Sequence, residues 1–545
     1  MREPRFLSDL DQAPYNSQRS PLVASGGAVA TSQPLAAAAG LRILMDGGNA
    51  VDAALAAAIC LTVVEPTSNG IGGDLFCQVW DGNRLVGLNG SGRSPAALDH
   101  AELLRRGHDQ MPPLGWLPVT VPGAPRAWAD LHARFGRREF GDLFQPAIRY
   151  ATDGVPISPI IAAAWSTAFQ TFAAQPDELF RPWLETFAPS GRAPRAGELW
   201  RSPGHARTLR EIAETGADGF YSGRTADEVV SFARRSGGML TEDDLGRHAS
   251  EWVEPLRVGY RGYDVWELPP NGQGLAVLIA LGILDGLELG KDRDDPREQH
   301  LQIDAVKLAL ADARRYVTDP EHEPVPVDAL LDPAHAASRR AVIGERAVEP
   351  EPGTVGRGGT VYLSAADADG MMVSLIQSNF QGFGSGVVVP ATGIALQNRG
   401  VGFVIDDGHP NRLAPRKRPF HTIIPGFLTR GGEGVGPFGV MGGHMQAQGH
   451  VQFLTNTIDH GLHPQAALDA PRWRWIEGRR VALEDGPLAA DLAEDLARRG
   501  HEPYIEPAST PNGVFGRGQA IWRDASSGTY VAGSDKRADG CAIGY

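Results

Sequence analysis

A layered α/β sandwich is the fold class this sequence predicts. Three observations carry the prediction: helix-period and strand-period apolar patterns are both abundant, they do not alternate in a regular βαβ rhythm, and no self-similar repeat of about 20 to 50 residues is present. With 545 residues, 42% hydrophobic and 21% charged, the chain has ample material for a large core and falls among globular proteins rather than disordered or fibrous ones. One large α/β unit and two intimately packed pieces both fit.

The first twenty residues are polar and charged, with no apolar run of signal-peptide length, and no later stretch reaches membrane-spanning length. A cytoplasmic protein with no membrane partner is expected. Residues 31–64 read as two helices. Ser32 can cap the first and Pro34 suits its first turn; Gly47 and Gly48 stop it before Asn49 caps the second, which is Ala-rich all round and therefore interior. The glycine-rich turn Asn69-Gly70-Ile71-Gly72-Gly73-Asp74 follows. No Gly-Lys-Ser/Thr accompanies it, so a tight turn needing positive φ is expected rather than a nucleotide loop, and residues 75–80 continue as a strand.

Residues 103–319 are mainly helical in pattern, interrupted at 252–274, and one helix carries Asp304, Lys307, Asp312 and Tyr316. A proline-rich and charge-rich stretch at 320–357 ends in Gly358-Gly359 and gives way to a β-patterned block. Within that block 361–363, 371–377 and 387–389 read as strands, separated by turns at 367–370 and 382–386.

A formal charge of −14 argues against nucleic acid as a partner, since phosphate binding is built on Lys and Arg. The basic run Arg416 to Arg418 reads as a structural loop. Three cysteines, Cys60, Cys77 and Cys541, in apolar or small-residue surroundings read as buried thiols and are too few and scattered for zinc. Fifteen histidines include no His-Glu-x-x-His spacing, and His444 with His450 is no recognised metal pair, so neither metal nor cofactor is expected.

Thr360 follows two glycines and opens a strand, where a flexible preceding backbone lets a hydroxyl approach its own carbonyl. Its surroundings, Gly359-Thr360-Val361-Tyr362-Leu363-Ser364, Asp367-Ala368-Asp369-Gly370 and Phe383-Gly384-Ser385-Gly386, resemble the small-subunit start of gamma-glutamyltranspeptidases. Lys417-Arg418-Pro419, Met441-Gly442-Gly443, the C-terminal run from Ser534-Asp535-Lys536-Arg537 and, upstream, the run Gly47 to Ala54 and Tyr260-Arg261-Gly262-Tyr263 extend the resemblance over nearly the whole chain. The resemblance implies a four-layer αββα N-terminal-nucleophile (Ntn) hydrolase fold. The precursor is then cut between Gly359 and Thr360 into a large subunit, 1–359, and a small subunit, 360–545, which stay together as an intertwined heterodimer. It implies Thr360 as nucleophile, Ser378 as the hydroxyl supporting it, and the amides of Gly442 and Gly443 as oxyanion donors. The substrate is then a small-molecule acyl amide, with water or an amine as acceptor; a higher homo-oligomer is left open.

The substrate cradle departs from the family's pattern. Ser91 stands where the family has the arginine for the donor's α-carboxylate, with Arg93 two positions on, and Gly402 stands where it has the acid for the α-ammonium. His421-Thr422 replaces a serine pair, and His444 follows the glycine pair. Arg93, Arg399, His421, Thr422 and His444 are the candidate substrate-binding residues, suited to a carboxylate that lacks a neighbouring amine. Three readings stand: a γ-glutamyl hydrolase or transferase, a divergent amidohydrolase resembling the oxamate amidohydrolases or glutaryl-cephalosporin acylases, and an uncleaved binding homologue.

Overall fold

The computed structural model describes residues 19–350, 359–506 and 514–545. The segment 351–358, which includes Gly358, lies outside the described residues.

Two seven-stranded sheets form the centre. The first runs Cys541–Gly544, Gly27–Thr31, Gly359–Asp367, Met372–Phe380, Asp74–Trp80, Leu85–Gly90, Glu251–Val253. The second runs Leu22–Ala24, Tyr530–Ser534, Arg517–Arg523, Glu433–Met441, Gly426–Arg430, Tyr263–Glu267, Leu256–Tyr260. All these pairings are antiparallel, and in both sheets strands from before residue 360 are hydrogen-bonded to strands from after it.

Strand alternation builds the layers. Along Gly359–Asp367, Val361, Leu363 and Ala365 face outward into a cluster with the helices Pro34–Met45 and Ala50–Val64. Tyr362 and Ala366 face inward, where Tyr362 meets Phe76, Ile376, Ile423 and Met441, and Ala366 meets Met372, Phe427 and Ile521. The outer face of the second sheet, with Val265, Phe438, Val440 and Trp522, packs on the helices Gly274–Asp285, Pro296–Tyr316 and Met445–Ile458. The order is helices, sheet, sheet, helices: an αββα sandwich.

The helix Ala50–Val64 is buried along its whole length, and Asn49 and Asp52 close a reciprocal capping box at its start. Ser32, expected to cap Pro34–Met45, does not; Gln33 does, because the Ser32 hydroxyl donates instead to the buried Glu65 carboxylate at 2.6 Å. Residues 387–389 are not a strand; Val388 makes only an isolated bridge with Ala395. The glycines of the 69–74 turn do not need positive φ. They are required by close approach: a Cβ on Gly72 would lie 2.3 Å from the Ala395 carbonyl oxygen, and one on Gly73 would lie 2.4 Å from that of Ser378. Cys60 and Cys77 are buried free thiols, while Cys541 is half-buried.

The C-terminal motif folds into a buried ion network. Asp535 accepts from the Gly518 and Arg537 backbone amides, both at 2.9 Å, and pairs with Arg472 at 2.8 Å and Arg537 at 3.0 Å. Burial opposes its charge, but these cations and amides outweigh it and hold the Asp535 carboxyl at about 2. A depressed carboxyl stabilises the fold above its unfolded range and loses that contribution as pH falls through the folded value. The Asp535→Asn variant should therefore melt well below the parent at neutral pH, by on the order of 2 kcal/mol or more. Thermal unfolding should show the gap narrowing as pH falls from about 4 towards 2; a gap constant with pH would contradict the assignment.

Candidate active site

Thr360 is the second residue of its strand, and a register shift between Gly359 and Val361 breaks the ladder at it, with Gly359 opposite Phe380 and Val361 opposite Gln377. The irregularity re-aims the threonine side chain. Its Oγ1 lies 3.0 Å from the Ser378 Oγ, and both hydroxyls reach the Gly359 carbonyl oxygen, at 2.7 Å and 2.6 Å. Ser378 is itself fixed by the Phe380 backbone N–H, which donates to it at 2.8 Å. The carbonyl of the Gly359–Thr360 bond is thus polarised by one hydroxyl and touched by the other.

The sandwich brings the glycine pair to the same place. Tyr362, two residues after Thr360, packs flat on Gly439, where a Cβ would lie 2.4 Å from its ring, and it shares a core cluster with Met441. Gly442 and Gly443 follow directly and adopt φ of 138° and 63°, conformations that favour glycine. Among the described residues, neither of their N–H groups donates to an acceptor. Gln273 locks the turn by donating to the Gly443 carbonyl at 2.9 Å and the Thr422 carbonyl at 2.7 Å. Two amides that donate to no acceptor among the described residues, following a strand that packs on the strand of Thr360, are of the kind that a tetrahedral oxyanion requires.

The five cradle residues divide. Arg399 and Thr422 meet, the Arg399 Nη1 donating to the Thr422 Oγ1 at 2.9 Å. Arg399 is 1% exposed, and its Nε finds no acceptor among the described residues. Burial pushes its pKa down to about 9, against a smaller upward pull from Asp74, so it stays charged at neutral pH. His444 stacks on Phe420 and keeps a buried Nδ1 with no partner among the described residues; burial first, then the nearby arginines including Arg399, holds it neutral.

His421 and Arg93 are used otherwise. The His421 Nε2 donates to Asp74 at 3.0 Å and its Nδ1 accepts from the Ile423 N–H at 3.3 Å, so neither nitrogen is left for a ligand; burial holds its pKa down to about 4. Arg93 turns to Asp319 and Glu321, each at 2.8 Å, and its charge is already answered.

Three residues of the site went unread in the sequence. Asp74 is a buried hub, accepting from the Gly92 and Gly123 amides, Gln397 and His421. Gln273 and Phe380 are the others. The turn residues Asp74 and Gln273 each sit beside glycines, which was the only sequence signal available.

His300, Asp304 and His501 offer atoms at metal-ligand spacing. Those atoms are in use: Lys307 pairs with Asp304 and reaches His501 and the Val348 carbonyl, all at 3.1 Å, and His300 bonds His501 and the Gly344 carbonyl, both at 2.8 Å. The lysine ammonium occupies the cation's role.

The family described as gamma-glutamyltranspeptidase matches residues 36–545. The chain belongs to this family. Within it, the chain is 36% identical to the glutathione hydrolase-like YwrD proenzyme of Bacillus subtilis (strain 168), over 94% of this chain and 97% of that one. It is 33% identical to the oxamate amidohydrolase proenzyme of Klebsiella pneumoniae, over 96% and 99%. The crystal structure of cephalosporin acylase from Bacillus halodurans superposes with a TM-score of 0.94 at 52% identity, covering 98% of both chains. The chain is an Ntn-type amidohydrolase of the transpeptidase family, and its αββα sandwich is the family's fold.

Proposed function

We propose that this enzyme cuts itself before Thr360 and then hydrolyses amides whose acyl group ends in a carboxylate without a neighbouring ammonium, as in a glutaryl group. The observation that carries this reading is Arg399: a buried, charged guanidinium with an unpartnered Nε and no acid at position 402 beside it. Such a group is costly unless an anion completes it. A γ-glutamyl donor would bring its ammonium to a cationic site with no acid at position 402 to meet it. The 52% identity to a structure titled cephalosporin acylase supports the same reading.

The chemistry follows from the geometry. The Thr360 hydroxyl attacks the Gly359 carbonyl carbon while Ser378 donates to its oxygen, the amide nitrogen takes up the hydroxyl's proton and leaves as the Thr360 amine, and water hydrolyses the resulting ester to a Gly359 carboxylate and the free Thr360 hydroxyl. The new α-amine, with an unperturbed pKa of about 7.7 to 8.0, then takes the hydroxyl proton as Thr360 attacks a substrate amide. The Gly442 and Gly443 amides hold the oxyanion. Collapse passes the proton to the leaving amine, and water releases the acid from the acyl-enzyme.

Position 402 also resists restoration of the missing acid. A Cβ there would lie 2.5 Å from the Phe420 carbonyl oxygen and 2.9 Å from the Arg399 Nη2. The Gly402→Asp variant should lose roughly 1 to 3 kcal/mol of stability in denaturant melts without gaining γ-glutamyl activity. As a test of the reading itself, glutarate should inhibit competitively at lower concentration than L-glutamate. Equal or reversed inhibition would sink it.

A further inference from the structure

Arg399 has a second partner that no carboxylate supplies. Its Cζ sits 3.5 Å from the centroid of the Phe380 ring, and both side chains are buried, at 1% and 4% exposure. Phe380 ends its strand with φ of +74°, a conformation a bulky side chain rarely adopts. That turn of the backbone takes the ring out of the strand's regular alternation, and the ring carries the guanidinium. The same residue's N–H holds the Ser378 hydroxyl, and its backbone lies opposite Gly359, so it joins the nucleophile pair to the recognition arginine.

We propose that Phe380 is a positioning residue for acid recognition: its ring face holds the Arg399 guanidinium where the substrate's carboxylate must meet it. The inference rests on the reading of Arg399 as the carboxylate site. An aromatic face attracts a cation through its quadrupole, most strongly where water is excluded. Thr422 fixes one nitrogen and Phe380 fixes the plane, so the buried guanidinium is held in one orientation. The contact is neutral, so it leaves the positive charge unspent.

The test compares a glutaryl anilide with the uncharged 4-carbamoylbutyryl anilide of nearly the same shape, using enzyme whose complete self-cleavage is verified by mass. Phe380→Leu should raise KM for the glutaryl donor about tenfold, the equivalent of one lost buried contact of this kind, with kcat within about twofold and the carbamoyl donor unaffected. Phe380→Tyr, which keeps the face, should remain near the parent. Pentafluorophenylalanine at 380 keeps the shape and inverts the quadrupole, and should lower the glutaryl preference at least as far as leucine; it decides the matter if the leucine variant does not mature. Arg399→Met serves as the reference, collapsing the preference outright. If Arg399→Met collapses it while both ring-altered variants keep it, or if they weaken the two donors equally, the role of Phe380 is overturned and the arginine site stands. If Arg399→Met leaves the preference intact, the arginine reading itself falls.

Discussion

The Thr360→Ala variant should remain a single chain and release no amine from any acyl amide. On the proposed reading two separate chemistries converge on its Oγ1, which touches the Gly359 carbonyl at 2.7 Å and lies 3.0 Å from the Ser378 hydroxyl: the self-cleavage and the later attack on substrate. Loss of a hydroxyl nucleophile costs about a millionfold in kcat where it has been dissected in other hydrolases. The fold should survive, because Thr360 takes part in no ion pair and its strand is held on both sides by antiparallel neighbours. Circular dichroism and melting close to the parent, with no activity and no second chain on a denaturing gel, is the expected set of results. Ser378→Ala should be milder, slowing maturation rather than abolishing it, since it removes one donor to the Gly359 carbonyl and leaves the Thr360 hydroxyl in place.

Replacing Arg399 by methionine should cost roughly a hundredfold in kcat/KM for an acid-terminated acyl anilide, within the range of about 2 to 5 kcal/mol measured when one partner of a buried, hydrogen-bonded charge pair is truncated. Methionine keeps length and apolar bulk over Phe380 while removing the charge. The free protein should become no less stable, because the parent carries a desolvated guanidinium with no directly bonded carboxylate among the described residues and the variant does not. Lower activity together with equal or higher melting temperature separates a recognition role from a structural one.

The sandwich was legible because its signals are local. The alternation of Val361, Leu363 and Ala365 against Tyr362, Ser364 and Ala366 assigns opposite faces to one strand, and Asn49 with Asp52 announces a helix start. Thr360 and Ser378, read as a spaced pair, are brought together at 3.0 Å. What the sequence withheld was direction. Arg93 and His421 are chemically suited to bind an acid, but tertiary neighbours claim them: Asp319 and Glu321 for one, Asp74 and the Ile423 amide for the other. Ser32 lost its capping role to Glu65, which is 33 residues away in sequence. Phe380 was invisible for the opposite reason, since its use depends on a positive φ and on a guanidinium brought from a different loop.

On the proposed reading, a cradle that in this family binds an amino-acid end is rebuilt here for a simpler acid. Serine at 91, glycine at 402 and a histidine turned into the Asp74 hub remove the groups that would answer an ammonium or share its carboxylate. Arg399 with Thr422, and His444 kept neutral by burial and by the arginines around it, put a buried guanidinium in the cradle. Selectivity then rests on what the site leaves unpaired, which discriminates more sharply than shape alone.

The most direct measurement is amine release by the unaltered enzyme from two matched donors, glutaryl and γ-glutamyl anilide, which differ only at the α-carbon of the acyl end. A kcat/KM ratio well above one in favour of the glutaryl donor is the predicted result. A clear preference for the γ-glutamyl donor would contradict the account, and would mean that a carboxylate other than one at position 402 meets the ammonium.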